Sequence, residues 1–115
     1  MQKIAIIGSK IFKNSKLINR YIKPLNPKKI TVLTGVSTGV NAYVRSATKK
    51  YGIPTIVYKP DFAKYGTQAT IVVNKRIIAE ADTIAIFYNG TSLITKCLID
   101  ETKELGKDLE LIVDK

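Results

Sequence analysis

The sequence KIAIIGSK at residues 3–10 begins with an apolar run and ends with glycine, serine and lysine. Consecutive apolar residues without polar alternation are typical of a parallel strand that is buried on both faces. Gly8 permits a sharp turn after this strand, and Ser9 and Lys10 then offer a hydroxyl group and a positive charge. The stretch therefore predicts a buried first strand that leads into a loop suited to an anion.

Short apolar runs and amphipathic stretches alternate along the rest of the chain. We expect strands at residues 3–8, 30–34, 54–58, 83–87 and 109–113, and helices at about 13–22, 38–51, 67–79 and 93–105. Residues 71–73 alone favour a strand, but a helix there preserves the alternation. In the second helix we expect Val40, Tyr43 and Val44 to face inward, and we expect residues 59–66 to form a polar loop.

This alternation is typical of an α/β domain with a parallel sheet and right-handed crossovers. A chain of 115 residues has room for one domain with one core. We therefore predict a single Rossmann-like three-layer domain over residues 1–115. Its five-stranded sheet is expected to have the strand order 3-2-1-4-5, which places ligands at the carboxyl ends of the strands.

The charge of the chain is distributed unevenly along the sequence. Residues 1–79 contain 15 lysines and arginines and one acid, Asp61, whereas residues 80–115 contain four lysines and eight acids. A basic excess attracts nucleic acids, nucleotides or acidic surfaces. The same excess is equally expected of a solvated, lysine-rich surface that favours solubility. The charge therefore makes nucleic acid a candidate partner without selecting it.

Several classes of protein are disfavoured by what the sequence lacks. No signal peptide precedes the first strand and no apolar stretch approaches the ~20 residues of a membrane span, so we expect a cytoplasmic protein without a membrane partner. Cys97 is the one cysteine, which excludes an internal disulfide. The absence of histidine removes the usual general base and a common metal ligand. We therefore expect no metal and no cofactor, and we leave a homo-oligomer open.

Loops that follow the first, second and fourth strands would meet at one edge of the sheet. Each combines glycine with hydroxyl or amide side chains and precedes a helix, whose free N–H groups favour an anion. Asp61, after the third strand, would act as a base or a ribose partner. The same residue types also build turns and helix caps, so only the convergence of the loops favours a site. The candidate ligand-binding residues are Gly8, Ser9, Lys10, Thr34, Gly35, Ser37, Gly39, Asn41, Asp61, Asn89, Gly90, Thr91, Ser92 and Thr95.

These residues resemble the YspA-like branch of the SLOG superfamily, which also contains the cytokinin-activating LOG enzymes and the DNA-processing protein A. The resemblance covers nearly the whole chain. It rests on residues 4–12, similar to the family's Gly-Ser-Arg and Phe, and on residues 34–41, similar to its Gly-Gly-Ala-x-Gly-Val-Asp run. Further matches are Asp61, Gly66, Ala69, Asn74, Ala81, Asp82, Phe87 and residues 89–95. The resemblance implies a Rossmann-like fold and a nucleotide-derived ligand.

The chain also departs from the family pattern at several positions. Asn41 stands in place of an Asp, Val73 and Lys10 in place of Arg, and Ile94 in place of the Gly that approaches phosphate. In register with Thr95, the Glu of the LOG enzymes falls on Leu98. The family's nucleotide site is therefore only partly present, and its hydrolytic carboxylate is missing.

Three functions fit these observations. The first, which we favour, is binding of a nucleotide or nucleotide-derived phosphate ligand by a sensor, carrier or sequestering protein. The second is an enzyme like a nucleoside monophosphate phosphoribohydrolase, which would need a carboxylate to stabilise a cationic ribosyl transition state. Only Asp61 is available near the loops, so we favour a protein without catalytic residues. The third is a DNA- or RNA-binding protein, whose affinity would fall steeply with salt.

Overall fold

One parallel sheet organises the chain, and its strands follow the predicted alternation. The structure is a computed structural model that describes residues 1–114. The strands are β1 (Gln2–Gly8), β2 (Ile30–Gly35), β3 (Thr55–Tyr58), β4 (Thr83–Tyr88) and β5 (Asp108–Val113). All pair in parallel in the order β3-β2-β1-β4-β5, which confirms the predicted topology. The chain leaves β1 toward one side and returns to β4 on the other, so the loops after β1 and β4 flank the switch point.

The helices lie in two layers on opposite faces of the sheet. They are α1 (Ser15–Ile22), α2 (Val40–Tyr51), α3 (Phe62–Tyr65), α4 (Ala69–Glu80) and α5 (Leu93–Glu104), with a 3-10 turn at Gly66–Gln68. One core cluster joins α1 and α2 to alternate residues of the central strands, and a second joins α4 and α5 to the other alternate residues. No helix within residues 1–114 is long and apolar enough to cross a membrane.

Phe87 is the centre of the core beneath α1. Its side chain is fully buried at the end of β4. The ring meets Phe12 edge-on at 5.7 Å and Tyr21 edge-on at 5.9 Å between centroids. Edge-to-face pairs add to the free energy of area burial. The three aromatic rings therefore fix the loop after β1, which contains Phe12, against the end of β4.

Two sequence predictions about the helices are wrong in detail. Residues 59–66 are not a simple loop, because the Asp61 carboxylate caps the short helix α3. Tyr43 does not face inward, because 46% of its surface is exposed. The helix predicted over residues 71–73 is confirmed within α4, and α2 ends before Gly52 as predicted. The errors concern a helix too short for periodicity to reveal and a residue that lies beside α1 instead of the sheet.

The core role of Phe87 gives a stability prediction. Phe87→Ala should lower the free energy of unfolding by about 3–5 kcal/mol, because it removes a large buried ring and both aromatic contacts. Phe62→Ala is the matched control, since Phe62 is 62% exposed and its loss should change stability by no more than about 0.5 kcal/mol. Urea unfolding followed by circular dichroism measures both, and equal losses would contradict the packing described.

Candidate functional site

Ser9 joins the loops after β1, β2 and β4. The side chain is 1% exposed, and its hydroxyl is 2.9 Å from Thr95 Oγ1 and accepts a hydrogen bond from the Asn89 N–H at 3.1 Å. Its carbonyl accepts from the Val40 N–H at 3.0 Å, at the start of α2. The candidate residues Ser9, Asn89 and Thr95 are thus brought together. Because the Ser9 hydroxyl has these partners, it positions the loops and is not free to contact a ligand.

Close packing at two glycines holds the same junction together. A Cβ at Gly8 would overlap the carbonyl oxygen of Phe87 and lie 2.9 Å from Val40 Cγ1. Gly39 has φ +75° and ψ −130°, and a Cβ there would overlap the Lys10 carbonyl group. This backbone region is essentially restricted to glycine. Both glycines are therefore needed for α2 to begin directly against the loop after β1.

The turn between β4 and α5 is shaped by its own side chains. Asn89 Oδ1 accepts hydrogen bonds from the backbone N–H groups of Thr91 at 3.0 Å and Ser92 at 2.9 Å. Ser92 caps α5 by accepting from the Thr95 N–H at 3.2 Å. Gly90 and Thr91 are exposed at the tip of this turn. The turn is therefore pre-formed, with Gly90 and Thr91 as its accessible members.

Buried polar groups that lack partners lie at the end of β2 and the start of α2, on either side of the loop that joins them. Asn41 is 5% exposed, and its Nδ2 donates to Ser37 Oγ at 2.7 Å. Its Oδ1 and the Oγ1 of the fully buried Thr34 have no hydrogen-bond partner within residues 1–114. An unpaired buried polar atom costs about 1–3 kcal/mol, and such atoms are rare in native proteins unless water or a ligand pairs with them. The two ends of the elements that this loop joins therefore have unused hydrogen-bonding capacity.

Arg45, in α2, contacts the loop between β2 and α2, and sequence reasoning missed it. Its Nη1 donates to the carbonyl oxygens of Gly35 at 2.6 Å and Ser37 at 3.0 Å. The two bonds fix the loop from the side of α2. No sequence signal identifies this role, because the partners are backbone carbonyls that every residue possesses.

The N-terminus of α2 opens into a surface depression that Lys10 lines. The depression has a volume of about 480 Å³ and is also lined by Ile11, Phe12, Gly39, Ala42 and Tyr43. No side chain caps α2. The N–H groups of Val40 and Tyr43 donate to Ser9 and Gly39, which leaves the intervening N–H groups of Asn41 and Ala42 without a partner in the described chain. Unpaired helix N–H groups beside a lysine favour an anion.

Asp61 lies apart from the other candidate residues. It follows β3 at the edge of the sheet, and its carboxylate accepts from the Lys64 N–H at 3.1 Å to cap α3. Sequence reasoning gave it a direct part in ligand binding, whereas its observed contact is structural. Within residues 1–114, no group of three or more acidic or cysteine side chains is placed to hold a metal ion.

The end of β3 contributes a neutral tyrosine beside Gly35, its partner in the sheet register. Burial raises the pKa of Tyr58 to about 12, and the hydrogen bond from its hydroxyl to Glu80 at 2.8 Å acts in the same direction. The hydrogen bond from Arg76 lowers the pKa of the Glu80 carboxyl group. Tyr58 therefore stays protonated near neutral pH and adds no negative charge to this edge of the sheet.

Comparisons with known proteins bear on the fold. A comparison with protein-family models finds no match, and neither does a comparison with curated proteins. Among solved structures, the chain is similar to the X-ray structure of DNA processing protein A (DprA) from Streptococcus pneumoniae, with a TM-score of 0.75 and 12% sequence identity. The match covers 96% of this chain and 50% of that one, so the chain spans half the length of that protein. The likeness confirms the predicted α/β Rossmann-like fold class.

The packing at Gly39 gives a second stability prediction. Gly39→Ala should lower the free energy of unfolding by more than about 3 kcal/mol, because backbone strain of about 1–3 kcal/mol is added to an overlap with Lys10. Gly66→Ala is the control, since Gly66 has a similar φ of +56° and ψ of −131° with open space around it, and only the strain should remain. Urea unfolding measures the stability of both variants. Equal losses in the free energy of unfolding would show that the overlap with Lys10 does not contribute to the effect of Gly39→Ala.

Proposed function

We propose that the chain binds a nucleotide or nucleotide-derived phosphate at the carboxyl edge of the sheet. The observation that carries this proposal is the unused hydrogen-bonding capacity at the start of α2. The backbone N–H groups of Asn41 and Ala42 lack partners there, at the edge of the depression that Lys10 lines. The buried atoms Thr34 Oγ1, at the end of β2, and Asn41 Oδ1 also lack partners. The free N–H groups and the lysine suit a phosphate, whereas an amide oxygen needs a donor such as a sugar hydroxyl or a bound water.

The accessible parts of the proposed site are fewer than the sequence indicates. Lys10, the first turn of α2 and the tip at Gly90 and Thr91 would meet the ligand, while Ser9, Ser92 and Thr95 hold the loops in place. Because Thr34 and Asn41 are buried, a ligand would reach them through a water molecule or after a small movement of the loop that Arg45 holds. A binding site of this kind, without catalytic groups, is sufficient for a sensor, carrier or sequestering protein.

Hydrolysis of a nucleoside monophosphate is the less favoured alternative. The position expected to hold a hydrolytic carboxylate is occupied by Leu98, which is buried in the core beneath α5. The carboxylate of Asp61 is engaged in capping α3. An enzyme of this kind would therefore lack a group to stabilise a ribosyl cation.

Family membership, cellular location and domain organisation are part of the same proposal. We propose that the chain is a member of the YspA-like branch, as the motifs of residues 4–12 and 34–41 indicate. We also propose that it acts in the cytoplasm and that residues 1–115 function as one domain. Self-association is compatible with this site and is not required by it.

The proposed site predicts that Lys10 contributes strongly to the affinity for nucleotides. Lys10→Ala should weaken nucleotide binding about tenfold or more, because a charge-assisted bond contributes roughly 1.5–3 kcal/mol. Lys49→Ala removes the same charge from an exposed position on α2 and should change the affinity little. Isothermal titration calorimetry with a panel of nucleotides measures both. Equal weakening by the two variants would show diffuse attraction, and absence of binding to every nucleotide would refute the site.

The missing carboxylate predicts the absence of hydrolysis. Incubation with adenosine monophosphate or cytidine monophosphate should release no free base above background, as measured by chromatography. The matched control is Asp61→Asn, which should leave this background unchanged. Base release by the wild-type protein that is lost in Asp61→Asn would overturn the assignment and make Asp61 catalytic.

A further inference from the structure

The β5 edge of the sheet is open, because β5 pairs with β4 alone among the strands of residues 1–114. The Asp114 N–H group donates to the Tyr88 carbonyl oxygen at the end of β4 at 2.8 Å. Since the backbone groups of successive residues in a strand point to opposite sides, the alternate residues of β5 direct their N–H and C=O groups away from β4. These residues are Leu109, Leu111 and Val113. A row of backbone donors and acceptors therefore lies along this edge.

The two edges of the sheet differ in their protection against further pairing. β3, at the opposite edge, is four residues long and lies between Pro54 and Pro60. Short edge strands and prolines are devices that prevent the addition of another strand. β5 has six residues and contains no proline. Of the two edges, β5 is therefore the one that is suited to accept an added strand.

The two faces of β5 carry different side chains. Leu109 packs against the core formed with α4 and α5. Leu111 and Val113 alternate with it on the same face, where they expose 44% and 41% of their surfaces. Asp108 and Glu110 are exposed on the other face. An added strand would therefore meet apolar side chains on one face and carboxylates on the other.

The carboxylates of this edge are not neutralised within the described chain. The ion pair found within residues 1–114 lies on α4, so neither Asp108 nor Glu110 forms one. Lys107 is their nearest cation along the sequence, but its ammonium group donates to the carbonyl oxygens of Ala79 and Ala81 at 3.1 and 2.9 Å. A second copy of β5 would bring the same acids close together, and like charges across a strand pair are destabilising. The charge of this edge favours a basic strand instead.

We infer that the β5 edge binds an extended peptide in which basic and apolar residues alternate. The peptide adds to the sheet as a further strand, bonded to the outward backbone groups of β5. Its apolar side chains cover Leu111 and Val113, and its lysines or arginines lie opposite Asp108 and Glu110. The backbone bonds supply affinity and the alternation supplies specificity. The inference does not depend on the proposed nucleotide site, which lies at the start of α2.

A fluorescein-labelled peptide of about eight residues that alternates lysine and valine is the probe. Fluorescence anisotropy measures its affinity in about 0.15 M salt, which screens long-range attraction. The control peptide has the same residues in two blocks, so its charge is equal but its lysines fall on both faces of an extended strand. The alternating peptide should bind at least about fivefold more tightly. Equal affinities would show that charge alone attracts the peptide, which would contradict the inference.

Substitutions in the protein separate charge from backbone pairing. Asp108→Asn with Glu110→Gln should weaken binding of the alternating peptide by about 2- to 30-fold. Asp100→Asn with Glu104→Gln removes the same charge from exposed positions of α5 and should change the affinity little. Leu111→Pro removes one outward N–H group and should weaken binding about fivefold or more, whereas Leu111→Val should keep the affinity within about twofold. Equal weakening by the two charge variants would count against the inference.

Hydrogen exchange of the wild-type protein locates the bound peptide without any substitution, so it also decides the matter if Leu111→Pro fails to fold. The alternating peptide should slow exchange of the Leu109, Leu111 and Val113 N–H groups. No binding, or binding without added protection at these groups, would overturn the inference. Protection of the same groups without peptide, in a protein that sediments as a dimer, would show that a second copy covers the edge and would overturn it as well.

Discussion

The structure depends on the hydrogen bonds of one buried serine at the end of the first strand. Ser9 accepts or donates bonds toward the starts of α2 and α5 and toward the turn after β4. These segments are far apart in sequence but meet at the switch point of the sheet, where parallel strands bring their carboxyl ends together. Gly8 and Gly39 make this approach sterically feasible. The edge of the sheet is therefore a closely packed junction, and the start of α2 lies directly against the loop after β1.

The two helix starts at this junction differ in how many of their N–H groups have hydrogen-bond partners. The turn after β4 satisfies its own N–H groups through Asn89 and Ser92. The start of α2 has no such side chain, because Gly39 occupies the capping position. An anion at α2 would therefore complete a set of donors that the fold leaves open, in the same way that a capping side chain would. The function that we propose follows from this difference between two helix starts.

Much of the fold and part of the site can be predicted from the sequence. The apolar run of residues 4–7 and the alternation after it predict the parallel sheet, because both depend on periodicity and handedness. The strand order also required the positions of the three loops, which this order brings together around the first and fourth strands. The structural role of Ser9 could not be predicted from the sequence, because a serine hydroxyl group can form hydrogen bonds with a ligand or with neighbouring loops. Arg45 was missed because its partners are carbonyl oxygens. Tyr43 was expected to face inward because helical periodicity does not show how much of a helix face the neighbouring elements cover.

We propose that the unpaired N–H donors at the start of α2 bind a nucleotide phosphate. A ¹H–¹⁵N NMR titration with adenosine monophosphate tests it most directly, because it reports each backbone N–H group separately. A bound phosphate should cause saturable chemical-shift changes that are largest at the Asn41 and Ala42 amides and smaller at Lys10 and Gly90. Shifts confined to the exposed lysines of α1, or no shift at the Asn41 and Ala42 amides at saturation, would contradict it.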